Sequence, residues 1–220
     1  MTMVLVSVLY FVLILFGYGA VYCYNNKRKP SELSGAFKLT KGRVIYLVVS
    51  LLAAIYMVVI FSAVYNRDWL FQVKLAFLIG MILPCAATDY RLHKIPNFII
   101  LMSIILRFIL FGMEFFFSSA DCLETLKDSM IGALVIGGFF FLMLLIFKNS
   151  IGMGDVKLFF VVGLYQGLWG GINSVFFSLL VSFVASIALL IARKKHRKDV
   201  IPFAPSILLG TLIAIGLAGM

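Results

Sequence analysis

The feature that most constrains this chain is a series of apolar runs, each close to 20 residues long and almost free of charge. A helix of about 20 residues is needed to cross the roughly 30 Å of hydrocarbon in a bilayer. Of the 220 residues, 63% are apolar and 13% are charged, whereas soluble domains carry about 25% charged residues. The mean hydropathy is +1.11. These values exclude a soluble globular protein and predict an all-α, polytopic membrane protein with a single domain over 1–220.

The lengths of the apolar runs and their polar flanks predict about eight membrane-spanning helices. The predicted spans are 3–24, 44–65, 70–88, 95–117, 129–147, 156–171, 172–192 and 201–219. The first run has no basic residue before it and is followed by Lys27, Arg28 and Lys29, the reverse of the charge order in a cleavable signal peptide. We therefore expect a retained helix, followed by a short polar loop at 25–42.

The net charge of +10 arises from 19 Lys and Arg that lie in short clusters between the apolar runs. Such clusters are typical of cytoplasmic loops of membrane proteins, so we predict no nucleic-acid partner. With both termini outside, all the basic residues lie on the cytoplasmic side except Arg67, Lys74, Arg107 and Lys127. This orientation requires 156–171 to cross, because the basic run at 193–198 must be cytoplasmic.

Small residues recur at helical spacing in two of the predicted spans. They are Gly163, Gly167 and Gly171 in one span, and Gly210, Ala214 and Ala218 in another. Small residues allow membrane helices to approach closely, so we expect packing faces here. The three cysteines, Cys23, Cys85 and Cys122, are far apart and form no CxxC pair, which indicates neither a zinc site nor a disulfide framework.

Two carboxylates are candidates for chemistry because both are predicted at the cytoplasmic ends of spans. Asp89 ends the third span, on a short loop before Pro96, and Asp155 follows Gly152 and Gly154 at a helix N-terminus. Ionisable groups at such depth are costly and are functional candidates. The alternative is that they are interfacial acids that neutralise nearby basic residues, namely Arg91, Lys94 and Lys157.

Three ordered motifs carry a resemblance to a known family. Residues 89–97 read D-Y-R-L-H-K-I-P-N, which resembles the D-x-R-x-x-x-I-P-N signature of type IV prepilin peptidases, the GxGD aspartic proteases of the bacterial inner membrane. Residues 152–158 read G-M-G-D-V-K-L, similar to the family's G-x-G-D-x-K-L. Residues 201–205, I-P-F-A-P, with Gly210 downstream, resemble a closing P-F-x-P-F-x-x-x-G element, although Ser206 stands where that element has an aromatic residue.

The resemblance covers roughly residues 70–215 and implies that Asp89 and Asp155 are the catalytic pair. The supporting motif residues are Arg91, Ile95, Pro96, Asn97, Gly152, Gly154, Lys157, Pro202 and Pro205. Two adjacent carboxyl groups cannot both ionise, so one keeps a proton while the other activates water. No cofactor or metal is needed for this chemistry. The implied substrates are prepilin or pseudopilin precursors with a basic leader before an apolar helix, cleaved at the cytoplasmic boundary of the inner membrane.

The loop at 25–42 also bears on the resemblance. Many members of the family carry a large cytoplasmic insertion after the first helix, with paired CxxC motifs and an N-methyltransferase activity. Here the loop is short and holds no cysteine. The resemblance is therefore to a short, protease-domain form, and methyltransferase activity is not supported.

Two rival functions stay open from the residues alone. An ion- or proton-coupled transporter could use the two aspartates as relay carboxylates, and a structural subunit of a secretion system would need neither. A metal site with His93 is opposed by the charges of Arg91 and Lys94, and Cys85 fits a buried core cysteine better than a site residue. Lys157 could hold substrate or simply reach lipid headgroups.

Arg107, midway along the fourth span, has no evident role in the sequence. Glu114 is a possible partner, although seven residues along a helix is a long reach.

Overall fold

The structure, a computed structural model, describes 41–63, 69–117, 119–147, 151–192 and 201–218, together with four isolated helical residues before them. The helices are α1 (Lys41–Ala63), α2 (Trp69–Leu92), α3 (Asn97–Phe117), α4 (Ser119–Ile146), α5 (Met153–Ile191) and α6 (Ala204–Ala218). No strand occurs in these described ranges, and the predicted all-α fold class is confirmed. Most of the predicted 3–24 span, most of the 25–42 loop and the basic run at 193–198 lie outside the described residues.

Five of the six helices are long and apolar enough to cross a membrane, and α6 is a shorter apolar helix. Their positions overlap the predicted spans from 44–65 onward, except that α5 covers two of them and that α4 begins at Ser119, ten residues before the predicted start at 129. Since α5 is itself broken into two arms, the structure is compatible with the predicted count of about eight.

Helix α2 lies at the centre of the bundle. In its spanning window 83% of the residues are buried, against 33% or less in the other four spanning helices. Leu78, Ile79 and Ile82 have no exposed surface. A helix that is apolar on all faces can be buried on all of them at the centre of a bundle. The other helices expose large apolar side chains on their outer faces. The centre of the bundle therefore carries Asp89, near the end of α2.

Helix α5 folds back on itself at Gly167, which has φ 73° and ψ −168°. A Cβ atom placed on Gly171 would lie 3.2 Å from Cα of Gly163, whereas eight residues of continuous helix separate two positions by about 12 Å. The first arm is thus 153–166 and the second is 168–191. The predicted boundary between 171 and 172 is wrong by four residues, because a backbone with positive φ needs Gly167 itself at the turn.

The glycines near the turn allow close packing of helices, but they do not lie along one face of one helix, as the sequence predicted. The reversal at Gly167 separates Gly163 from Gly171, so the two face each other across the hairpin. A Cβ atom on Gly132 of α4 would stand 2.8 Å from the carbonyl oxygen of Gly163. On α6, Gly210 lies directly against the backbone of Ser178 in the second arm. The predicted close helix approach is confirmed at these contacts.

The break in α5 removes a helical hydrogen bond, and two side chains replace it. In an unbroken helix the N–H of Leu168 would donate to the carbonyl of Leu164. Instead, the Leu168 N–H donates to Oδ1 of Asp128 at 3.1 Å, and Nε of Arg107 donates to the Leu164 carbonyl at 3.2 Å. The first arm rises only about 21 Å, less than the thickness of a bilayer core. The contact between Arg107 and Leu164 is buried, and an unsatisfied backbone group there would cost several kcal/mol. The contact between Asp128 and Leu168 is exposed on the surface of the bundle. Both charged side chains thus have a structural role, with the larger contribution expected from Arg107.

Arg107 is completely buried and uses its other donors as well. Nη1 forms an ion pair with Oε1 of Glu114 at 3.0 Å, and Nη2 donates to Oγ of Ser129 at 3.2 Å. Its guanidinium also lies 3.7 Å from the centre of the Phe111 ring. The pairing with Glu114 considered from the sequence is confirmed, and the role of the arginine is now explained by the break in α5. We call Arg107, Glu114, Asp128 and Ser129 the turn cluster.

Candidate active site

The end of α2 and the starts of α3, α5 and α6 meet at one end of the bundle, which we call the aspartate end. Asp89 lies in the last turn of α2 and is buried, with 7% of its surface exposed. The expectation that it sits on a loop is wrong, because the helix continues to Leu92. The helix ends at His93, where φ is 50° and the N–H donates to the Asp89 carbonyl at 2.9 Å. A helical backbone therefore holds the Asp89 side chain in place.

The carboxylate of Asp89 accepts a hydrogen bond at the N-terminus of another helix. Its Oδ2 lies 2.9 Å from the N–H of Ala204, the first residue of α6. The first N–H groups of a helix have no partner within it and carry the positive end of its dipole, so they favour a negative charge. Pro205 fits the next position because it has no N–H to satisfy. Pro202 and Pro205 are predicted from the sequence as motif residues. The backbone donor between them is not, although a proline often marks the start of a helix.

Asp155 occupies the first turn of α5, as the sequence predicted. Its carboxyl group reaches back to the backbone N–H of Gly152. A Cβ atom on Gly152 would stand 3.0 Å from Oδ2 of Asp155, and one on Gly154 would stand 3.0 Å from Cβ of Ile95. The first glycine therefore leaves room for the carboxylate, and the second lets α5 pack against the segment before α3.

The two carboxyl groups, 66 positions apart in sequence, lie close enough to interact electrostatically. The Oδ1 atom of Asp155 is buried and has no hydrogen-bond partner among the described residues. Each acid lies at the N-terminus of a helix, Asp89 at α6 and Asp155 at α5. Such a pair can share one proton, with one oxygen left free toward a reacting group.

The Type IV leader peptidase family matches this chain over residues 75–191. This range is more than half of the chain and includes both aspartates. The chain belongs to the type IV leader peptidase family.

Among curated proteins, the chain is 29% identical over 139 residues to a prepilin leader peptidase/N-methyltransferase of Bacillus subtilis (strain 168). That match covers 62% of this chain and 52% of the relative, so the chain spans about half the length of the curated relative it matches. No solved structure matches the chain.

In this leader peptidase family member, the motif residues join the helix ends rather than neutralise the acids. Nζ of Lys157 donates to Oδ1 of Asn97 at 2.9 Å, which links α5 to the start of α3. Pro96 is buried just before α3, and its carbonyl accepts from the N–H of Ile99 at 3.1 Å. Arg91 and Lys94 are exposed. The geometry therefore does not favour the alternative in which the two acids only neutralise Lys157 and its neighbours.

The structure gives His93 and Cys85, the other candidate site residues, no role in the site. His93 is exposed at the end of α2, and the described residues contain no group of three His, Cys, Asp or Glu side chains arranged to hold a metal. Cys85 is a free thiol with 1% of its surface exposed. The prediction of a buried core cysteine at this position is confirmed.

An aromatic stack that was not predicted from the sequence supports the Asp155 side of the candidate site. Phe159, one helical turn after Asp155, is fully buried. Its ring stacks on Phe140 of α4 with centroids 4.2 Å apart and meets the edge of Phe203 at 5.6 Å. Phe203 immediately precedes the Ala204 donor, so this stack couples the positions of α4, α5 and α6. Many of the 22 Phe residues could have served such a role, and the sequence does not single these out.

Proposed function

We propose that this protein is an aspartic endopeptidase that removes the basic leader from prepilin-like or pseudopilin-like precursors. The observation that carries the proposal is the meeting of Asp89 and Asp155 at one end of the bundle, each at a helix N-terminus. Membership of the leader peptidase family supports the substrate class. The single domain over 1–220 and the absence of a cofactor requirement are parts of the same proposal.

The reaction follows from a pair of carboxyl groups that shares one proton. The buried Oδ1 of Asp155 has no hydrogen-bond partner among the described residues, so we assign the shared proton to Asp155. Asp89 takes a proton from water as the water attacks the scissile carbonyl. Asp155 donates its proton to the developing oxyanion. As the C–N bond breaks, Asp89 gives the proton it took from water to the leaving amine, and Asp155 takes a proton back from a hydroxyl of the tetrahedral intermediate.

The location of the reaction is part of the proposal. The positive-inside distribution of Lys and Arg supports an orientation with the aspartate end at the cytoplasmic face of a bacterial inner membrane and both termini outside. There the leader of a precursor is in water while its apolar helix stays in the bilayer. A cysteine at Arg91 is then expected to react with a thiol reagent only after the reagent crosses the membrane, and one at Ser119 from outside, in a background without native cysteines. The reverse labelling pattern would overturn this orientation.

The deciding experiment uses the purified full chain in detergent with candidate precursors, read as the mass lost with the leader. We expect Asp89→Asn and Asp155→Asn each to abolish cleavage while the protein stays folded. Glu124→Gln is the matched control, because Glu124 is an exposed acid on α4, and it should cleave like the wild type. Normal cleavage by either aspartate variant would remove that residue from the catalytic pair. Failure of the wild type to cleave any such precursor would refute the activity itself.

A further inference from the structure

An open groove runs along the bundle from the aspartate end, between α3, α4 and the first arm of α5. Its cavity volume is about 680 Å³. Ile104, Gly138, Phe141 and Phe160 are among the side chains and backbone positions that line it. The groove is a concave surface on a membrane protein, and it differs in this respect from the convex apolar faces of the other outer helices.

The groove begins beside the proposed catalytic pair. Met153, Val156 and Lys157 line its wall on α5, and these residues flank Asp155 in the sequence. Asn97, which holds Lys157, lines the opposite wall on α3. The mouth of the groove therefore lies beside the start of α5, next to Asp155, although neither aspartate lines the groove itself.

The polarity of the lining changes along its length. Asn97 and Lys157 at the mouth are polar, and every other lining residue is apolar or glycine. A cation at the mouth repels a basic leader, whereas the apolar wall beyond it accepts an uncharged helix. Ala133, Gly137 and Gly138 on α4 are small and leave room for a close helix approach. Such an arrangement is suited to hold one face of an apolar helix.

We propose that this groove seats the apolar helix of the precursor, with the basic leader outside its mouth and the scissile bond beside Asp155. The inference rests on the proposed function and adds where the substrate is held. A second cavity, of about 230 Å³, lies on the Asp89 side and is lined by Leu83, Tyr90 and Pro205 among others. It is a third of the size, so we assign the substrate helix to the larger groove.

The structure offers a variant that fills the groove together with a matched control. A Cβ atom on Gly138 would meet nothing within 4 Å, and the same holds for Gly112 on α3, which does not line the groove. Both are glycines in spanning helices that accept a side chain without a collision. A phenylalanine at 138 therefore enters the groove, while one at 112 does not.

The first test measures kcat/KM for a full-length precursor that the wild type cleaves. We expect Gly138→Phe to lower kcat/KM about tenfold or more, because a displaced substrate misses the catalytic groups. Gly112→Phe should stay within about twofold of the wild type, as for a surface substitution. Equal kcat/KM for the two variants would overturn the groove assignment. Absence of cleavage by the wild type would instead be a failure of the proposed function.

A second test reads the position of the helix directly and is independent of effects on folding. A photo-crosslinking residue replaces Leu134, which is exposed and lines the groove, or Leu142, which is exposed on the same helix outside it. In the Asp155→Asn background, uncleaved precursor should crosslink from 134 and not from 142. Crosslinking to lipid alone at 134 in the presence of precursor, or precursor crosslinks from 142 instead, would overturn the proposal.

Discussion

The first arm of α5 has charged groups at both ends, but they are paired differently. At its N-terminus, Asp155 faces another acid, and its Oδ1 has no hydrogen-bond partner among the described residues. Near its C-terminus, the turn cluster pairs Arg107 with Glu114 and supplies partners for two backbone groups beside the break at Gly167, the Leu164 carbonyl and the Leu168 N–H. Glu114 also keeps one buried oxygen, Oε2, without a hydrogen-bond partner among the described residues, but its charge is balanced by Arg107. Like charges that face each other are costly to a fold, and a buried charge paired with an opposite one is far less so. The aspartate end is therefore suited to proton transfer, and the turn cluster is suited to stabilising the backbone.

The largest expected effect tests whether the aspartate end acts as one unit. Asp89→Asn and Asp155→Asn should each reduce cleavage by roughly 10²–10⁴-fold or more, and the double variant should lose no more than either single one, because members of a catalytic unit are not additive. The measurement is kcat/KM of the folded protein in detergent. Losses that multiply in the double variant would show that the two acids act independently.

The next effect concerns the other end of the arm. Arg107→Leu leaves Glu114 buried without its cation and the Leu164 carbonyl without its donor, and we expect it to lower the free energy of unfolding by about 3–5 kcal/mol. Thermal unfolding in detergent measures this loss. The fraction that stays folded should keep a kcat close to that of the wild type. A variant that unfolds like the wild type but has lost kcat would move Arg107 from the structural group to the catalytic one.

A smaller effect separates the charge of Asp128 from its hydrogen bond. Asp128→Leu removes the acceptor for the Leu168 N–H and should destabilise the protein by about 1–3 kcal/mol. Asp128→Asn keeps an acceptor oxygen in the same place, so its unfolding temperature should lie much closer to that of the wild type. If the asparagine variant is as unstable as the leucine variant, the negative charge is what the turn requires.

The smallest expected effect is that of chelators at the aspartate end. The proposed chemistry moves protons between carboxyl groups and water, so cleavage should be unchanged by EDTA or phenanthroline. The assay is the same leader release, with and without prior incubation. Inhibition that added zinc reverses would instead support a metal site that includes Asp89, His93 and Asp155.

Much of the aspartate end could be predicted because its signals are local. Paired glycines before an acid and a proline before a helix are short patterns with a direct backbone meaning, and Gly152, Gly154 and Pro96 occupy the places these patterns indicate. The exact end of α2 could not be predicted, since nothing in Thr88-Asp89-Tyr90 stops a helix. The Ala204 donor was missed because a backbone N–H leaves no trace in residue type.

The turn cluster could not be predicted for a different reason. The spacing of Gly163, Gly167 and Gly171 fits a continuous helix as well as a hairpin, and only contacts with α3 and α4 choose between them. Arg107 looked anomalous in an apolar span because two of its partners, Ser129 and the Leu164 carbonyl, lie on other helices, 22 and 57 positions away. Side chains that satisfy a broken backbone can be assigned only when the break and its surroundings are known.

The sequence by itself determined that this chain is an all-α membrane protein and which acids belong to the motifs, because hydrophobic length and short spacings are properties of the linear chain. The tertiary structure alone decided that Asp89 meets the N-terminus of α6, that α5 reverses at Gly167, and that a groove opens beside Asp155. Apolar helices are nearly uniform along their surfaces, so their sequences say little about which faces meet. Close packing and the need to satisfy buried polar groups make that choice.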